Sequence, residues 1–250
     1  LSSDLSGAEQ FTGATQYFSF NNNGYTINSY YLANAYTNLN NADFVSWTFR
    51  KAPKFFDIQT WSGDGTIRNI SHNLGSVPGM IIVKNTSSGS TDWRVYHRGV
   101  NGGSSPQNYS LKLNDTAAQG FGALWNTQAP TSTQFTVAND TETNASGQTY
   151  VAYIFAHNDD DGGFGEPGDQ DIIKCGGYTG NGSTDGTEVN LGFEPQWLMI
   201  KATSVARDWH IFDAIRGTVV GGNDSLLQAN LSDAESSGTE FVSFTPTGFK

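Results

Sequence analysis

Two stretches of this chain repeat one another at a fixed distance, and that periodicity limits the possible folds more than any other feature. Trp61-Ser62-Gly63-Asp64-Gly65 is answered by Tyr178-Thr179-Gly180-Asn181-Gly182, and Leu74-Gly75-Ser76-Val77-Pro78 by Leu191-Gly192-Phe193-Glu194-Pro195, both at an offset of 117. Over the 25 positions from Thr60 to Lys84, seven are identical in the second stretch: Gly63, Gly65, Asn73, Leu74, Gly75, Pro78 and Lys84. Chance would give about one or two. The register continues with Asp92-Trp93-Arg94-Val95-Tyr96 against Asp208-Trp209-His210-Ile211-Phe212 at offset 116, a one-residue loop deletion. Two copies of one unit are expected in tandem.

A third, incomplete copy lies at the amino end. Leu5-Ser6-Gly7-Ala8-Glu9 resembles Leu231-Ser232-Asp233-Ala234-Glu235, and Thr15 to Phe20 resembles Thr239 to Phe244. Phe44 to Phe49 answers Tyr150 to Phe155, and no third version follows Phe249. The expected organisation is the C-terminal part of a first repeat over 1–54, a second repeat over 55–158, an acidic glycine-rich linker over 159–170, and a third repeat over 171–250 lacking its last strands. On that reading the sequence is a piece of a longer polypeptide.

Glycine, threonine, serine and asparagine make up 100 of the 250 residues, while charged residues make up 15%. These four supply turn geometries and local side-chain hydrogen bonds, so many short strands joined by turns are expected. The 32 aromatic residues provide the burial that a disordered chain lacks. Strands are predicted at Phe55–Trp61, Met80–Lys84, Leu111–Leu113, Gln134–Val137 and Tyr150–Phe155, and in the next copy at Ile172–Tyr178 and Trp197–Lys201. No helix longer than a turn or two is expected. The fold class is all-β, as tandem β-sandwich repeats of jelly-roll or lectin-like type.

A net charge of −11 opposes binding to nucleic-acid phosphates. The longest apolar runs are strand-length, so no membrane insertion is expected. The single cysteine, Cys175, leaves no internal disulfide, and no clustered Cys and His offer a zinc site.

Three kinds of chemistry can be weighed. The bridge after Asn158 places carboxylates among glycines, and Asp159, Asp161 and Glu166 are the candidate ligands for calcium, a hard cation that takes oxygen donors. The spacing is not that of an EF-hand, and a solvated acidic linker is the competing reading. The Asp-Trp pairs at 92–93 and 208–209 suggest a sugar-stacking platform, yet their repetition favours a packing element with the indole buried and the carboxylate capping a turn. His72, His97, His157 and His210 carry no catalytic signature around them, and neither a nucleophile elbow nor a metal-protease helix is present. Catalysis is not expected here.

Taken together, Ser71-His72-Asn73-Leu74-Gly75-Ser76-Val77-Pro78-Gly79-Met80-Ile81-Ile82-Val83-Lys84, Asp92 to His97, Tyr150 to His157, Tyr178 to Ser183 and Gly192 to Pro195 resemble a repeat family of virion structural proteins in tailed bacteriophages, especially marine and cyanobacterial ones. The resemblance covers nearly the whole chain. It implies a virion structural protein on the particle surface, in a tail fibre or other appendage that contributes to host attachment. A capsid- or tail-bound scaffold or decoration protein and a polysaccharide depolymerase spike are the alternatives. The implied partners are further copies of the chain (a trimer by analogy with phage appendages), other virion proteins and a bacterial surface glycan. The family's repeat domain has no assigned activity, so no functional residue is carried over.

Overall fold

The computed structural model describes residues 1–9, 18–27, 40–218 and 222–250. The chain divides into two compact units, one of residues 10–50 and one of residues 1–9 with 51–250. In the smaller unit, β1 (Phe18–Asn21) and β2 (Gly24–Ile27) pair antiparallel across a two-residue Asn22-Asn23 loop, the residue type that tolerates the turn's backbone. Phe44–Phe49 forms no strand, and Thr15–Tyr17 lie outside the described residues.

The larger unit carries β3 (Phe56–Ser62), β4 (Arg68–Ser71), β5 (Pro78–Asn85), β6 (Arg94–His97), β7 (Tyr109–Lys112), β8 (Gly120–Phe121), β9 (Gln134–Val137) and β10 (Thr149–Ala156). It continues with β11 (Val189–Asn190), β12 (Trp197–Lys201), β13 (Trp209–Asp213), β14 (Leu227–Gln228), β15 (Phe244–Thr245) and β16 (Gly248–Phe249). The protein is all-β, and its only described helical segments are two 3-10 turns at Val100–Gly103 and Pro106–Asn108.

Six strands form one antiparallel sheet in the order β3-β10-β5-β6-β7-β8, and β4 pairs with β9 separately. All eight residues of β5 are buried. Alternation sends Ile81 and Val83 to a cluster with Trp61, Ile70, Phe135, Val137 and Tyr150, and sends Met80 and Ile82 to another with Trp93, Val95, Leu111, Trp209 and Ile211. A strand covered on both faces explains the unbroken apolar run in its sequence. The sheets β12-β13-β14 and β11-β16-β15 share a third cluster around Phe212, Leu226, Phe244 and Phe249.

The Gly-Asx-Gly turns close alike in both halves. Asp64 Oδ1 accepts the Thr66 N–H at 2.9 Å, and Asn181 Oδ1 accepts that of Ser183 at 3.0 Å. Gly63 is required by close approach, because a Cβ there would lie 2.1 Å from the Ala145 carbonyl oxygen.

One expected strand is absent: Ile172–Tyr178 joins no ladder. The matching stretch β3 pairs within the sheet only with β10, over seven residue pairs. The segment's backbone groups go instead to residues 157–158: Asn158 Oδ1 accepts the Ile172 and Ile173 N–H groups, His157 Nδ1 accepts that of Cys175, and the Ile173 carbonyl accepts the Asn158 N–H at 2.8 Å. β12 lies at a sheet edge and is half-buried, where β5 is central and fully buried.

Candidate functional site

The Asp-Trp strands are fastened the same way in both halves. Asn114 donates from Nδ2 to Asp92 Oδ1 at 2.9 Å and accepts the Trp93 N–H at 2.9 Å. Asn230 does so with Asp208 at 2.7 Å and Trp209 at 2.8 Å. The indoles are 6% and 4% exposed, which removes the sugar-platform reading and leaves the packing one. Each carboxylate holds the side chain of an asparagine in a turn, Asn114 just after β7 and Asn230 just after β14. Burial pushes the Asp92 carboxyl up, but Lys112, Asn114 and Arg94 outweigh it and hold the group below its ordinary value.

Each buried indole points its N–H at an earlier part of the chain. Trp93 Nε1 donates to the Ser2 and Leu5 carbonyls, both at 3.1 Å, and Trp209 Nε1 to that of Lys112 at 2.8 Å. Lys84, fully buried at the end of β5, donates to the Ser6 carbonyl at 3.0 Å and to the Thr91 carbonyl and hydroxyl. Lys201 donates to the Thr116 carbonyl at 3.0 Å. A backbone bond completes each seat: Glu9 N–H to Thr86 O, and Gln119 N–H to Thr203 O, both at 2.8 Å. The gripped residues Ser2, Ser6 and Glu9 stand a constant 110 positions before Lys112, Thr116 and Gln119. No motif in the sequence gives the two lysines a role, although an identical lysine ending an apolar strand in both matched stretches is the available signal. Burial lowers both ammonium pKa values, against the pull of Asp92 and Glu142 on Lys84 and of Asp115 and Asp208 on Lys201.

Beside the first seat lies an open cleft of about 680 Å³, between Leu1 and Glu9 on one side and Thr60, Ser62, Thr149 and Tyr153 on the other. Its floor is the β3–β10 ladder; the rings of Trp61 and Tyr150, stacked with centroids 5.4 Å apart, alternate to the other face and are buried in the core cluster. Hydroxyl groups dominate its rim, and Thr86 and Thr149 pair their hydroxyls at 2.7 Å. Such a surface suits a polyhydroxylated ligand. Glu9 is the single carboxylate among the described lining residues, so no paired acid and base meet there.

The acidic stretch is a closed excursion. Buried Asn158 donates to the Lys54 carbonyl and accepts the N–H groups of Ile172 and Ile173, pinning both ends. Asp159 and Asp161 are brought together, the Asp159 N–H donating to Asp161 Oδ1 at 3.1 Å, while Lys174 sits 3.7 Å from Asp159 and 3.2 Å from Asp171. Glu166 stands apart in an exposed turn. Among the described residues no three His, Cys, Asp or Glu side chains form a metal-holding group.

The histidines are structural acceptors or packing groups. His97 Nδ1 accepts the Gly99 N–H at 3.0 Å, His157 Nδ1 that of Cys175 at 3.1 Å, and His72 Nδ1 that of Leu74 at 3.3 Å. His210 packs against Phe212 and Phe241. Cys175 is buried, and burial pushes its thiol up to about 12, far from a nucleophilic thiolate.

Fold and seats together define an all-β protein in which tryptophan and lysine from one segment grip the backbone of an earlier one. The chain belongs to the family described as domain of unknown function DUF7483, whose profile matches residues 1–250. No curated protein and no solved structure matches it.

Proposed function

We propose that this chain is a structural module of a tailed-bacteriophage virion, part of a tail fibre or comparable appendage, and that it contributes to attachment at the bacterial surface. The phage assignment rests on the sequence resemblance. The structural half rests on one observation, the recurrence of the same seat at Ser2–Glu9 and at Lys112–Gln119. These bonds go to backbone groups and ask little of the gripped side chains, so like copies can be joined while their loops diverge. Each copy is read as a β-sandwich, the six-stranded sheet facing the β4–β9 pair across the Trp61–Phe135–Tyr150 cluster. The hydroxyl-rimmed cleft is the candidate contact for a surface glycan, and three chains about an axis is the favoured assembly by analogy.

The test is immunogold labelling of intact phage particles with antibody against this chain, together with binding of the purified chain to host cells. Label on an appendage and saturable cell binding are expected. Label without cell binding would favour a scaffold or decoration role, and new reducing ends released from host capsule would favour a depolymerase. Unlabelled particles would sink the virion reading.

A further inference from the structure

The third copy presents the segment that the seats grip, already shaped and exposed from Leu231 onward. Leu231 N–H bonds to the Gln228 carbonyl at 3.4 Å, as Leu5 N–H bonds to that of Ser2 at 3.3 Å, so the same turn is formed. By the repeat register, Gln228 O, Ser232 O and Glu235 N–H correspond to the groups used at Ser2, Ser6 and Glu9. Residues 231–240 are exposed, and among the described residues no tryptophan or lysine meets Gln228 O or Ser232 O. The three equivalent segments also gather. Ser3 Oγ donates to the Ala229 carbonyl at 2.7 Å, although Ser3 and Ala229 occupy the same repeat position in the first and third copies, and Leu113, the second copy's equivalent, shares a core cluster with Ala229. A linear array would separate the first copy from the third, whereas contact between equivalent positions is what a closed three-membered ring produces.

We propose that Gln228–Glu235 is a docking surface for the lysine and Asp-Trp hairpin of a further repeat of this kind, whose arrival closes a ring of three seats. The occupant's chemistry is fixed by the two seats already filled. It needs a strand ending in lysine to reach Ser232 O, an indole N–H to reach Gln228 O, and a free carbonyl two residues after the lysine, at the place of Thr86 and Thr203, to receive Glu235 N–H. The surface is polar backbone, and the seats at Ser2 and Lys112 show such a segment covered by a buried tryptophan.

The probe is a backbone-cyclised peptide of residues Met199–Ile211, which spans the strand pairing from Met199↔Ile211 to Lys201↔Trp209. Added to the full chain, it should bind saturably and slow hydrogen exchange across residues 230–236. Trp209→Phe in the peptide should weaken binding about five-fold, the worth of one hydrogen bond. Slower exchange of the same amides on concentrating the chain alone would overturn this choice of occupant, since both hairpins of a second copy are already seated on its own segments. A second arm removes Leu1–Glu9 and offers peptides to the vacated Trp93 seat. A Leu1–Glu9 peptide serves as control, and a Leu227–Glu235 peptide should bind within about ten-fold of it, since one bond separates such affinities by no more than that. Protection confined to other residues overturns the proposal. So does failure of the Leu227–Glu235 peptide where the control succeeds.

Discussion

Lys84 and Ser6 are 78 residues apart in the chain and 3.0 Å apart in space, the fully buried ammonium donating to the Ser6 carbonyl. A buried charge is retained only where each of its protons is spent, and here the Thr91 carbonyl and hydroxyl take the rest. Lys84→Met keeps the apolar stem and removes all three bonds. It should cost about 1–3 kcal/mol in urea denaturation and, more tellingly, abolish the exchange protection of the Glu9 amide. Persistent protection of Glu9 would show that the amino-terminal segment is held without the lysine.

Trp209 allows the indole bond to be separated from indole bulk. Trp209→Phe deletes the donor to the Lys112 carbonyl and should cost about 1–2 kcal/mol, while Trp209→Ala, which also leaves a cavity, should cost about 3–5. The comparison is Trp125→Phe, which loses a bond to the Tyr109 carbonyl sixteen residues away, outside either seat. Both phenylalanine variants should lose similar stability, but only Trp209→Phe should speed exchange at Gln119, whose amide bonds across the seat to Thr203. Equal behaviour at Gln119 would refute the seat as a local unit.

Strand positions were legible because period and composition report them directly. Gln134–Val137 and Trp197–Lys201 fall where the sequence puts them, and β3, β5 and β10 shift by one or two residues. Ile172–Tyr178 was misread because local sequence states a preference for extended backbone but not whether a partner strand is present. The seats were invisible for a related reason. Their acceptors at Ser2, Ser6, Lys112 and Thr116 are backbone carbonyls, which any residue supplies, so only the donor side leaves a trace in the sequence. The calcium expectation at Asp159, Asp161 and Glu166 came from counting carboxylates. Counting cannot show that Lys174 and the N–H groups of Asp160 and Gly162 converge on Asp171 in the same loop.

Asn230 links the Asp208 carboxylate to the Trp209 backbone, so its chemistry can be reversed with little change of shape. Asn230→Asp places a second carboxylate against Asp208, and one of the two must hold a proton. The folded-state pKa of the pair then rises above the unfolded value, so the variant's deficit is full above that raised pKa and shrinks as pH falls through it. A loss of about 2–4 kcal/mol at pH 7 should diminish by pH 4.5, read from denaturation midpoints. Asn114→Asp should show a smaller deficit, because Lys112 and Arg94 already face the Asp92 carboxylate, and a deficit of Asn230→Asp independent of pH would exclude carboxylate repulsion as its cause.

His97 gives the fold a pH limit on its acid side. Burial, with smaller contributions from Arg98 and His157, lowers its pKa from 6.5 to about 4, and the neutral ring accepts the Gly99 N–H through Nδ1. Between those two values the unfolded chain binds a proton that the folded protein refuses, so stability present above pH 6.5 is lost as pH falls toward 4. His97 alone should account for about 2 kcal/mol between pH 7.5 and pH 5. His72, His157 and His210 are lowered too and add in the same sense, whereas the depressed Asp57 and Asp92 act only at lower pH, around and below the ordinary 3.8. His97→Asn keeps an acceptor where Nδ1 stood and cannot titrate. Its stability should be lower at pH 7.5 yet fall less steeply to pH 5, so that the two curves converge; curves that stay parallel would mean the ring is protonated or exposed in the folded protein.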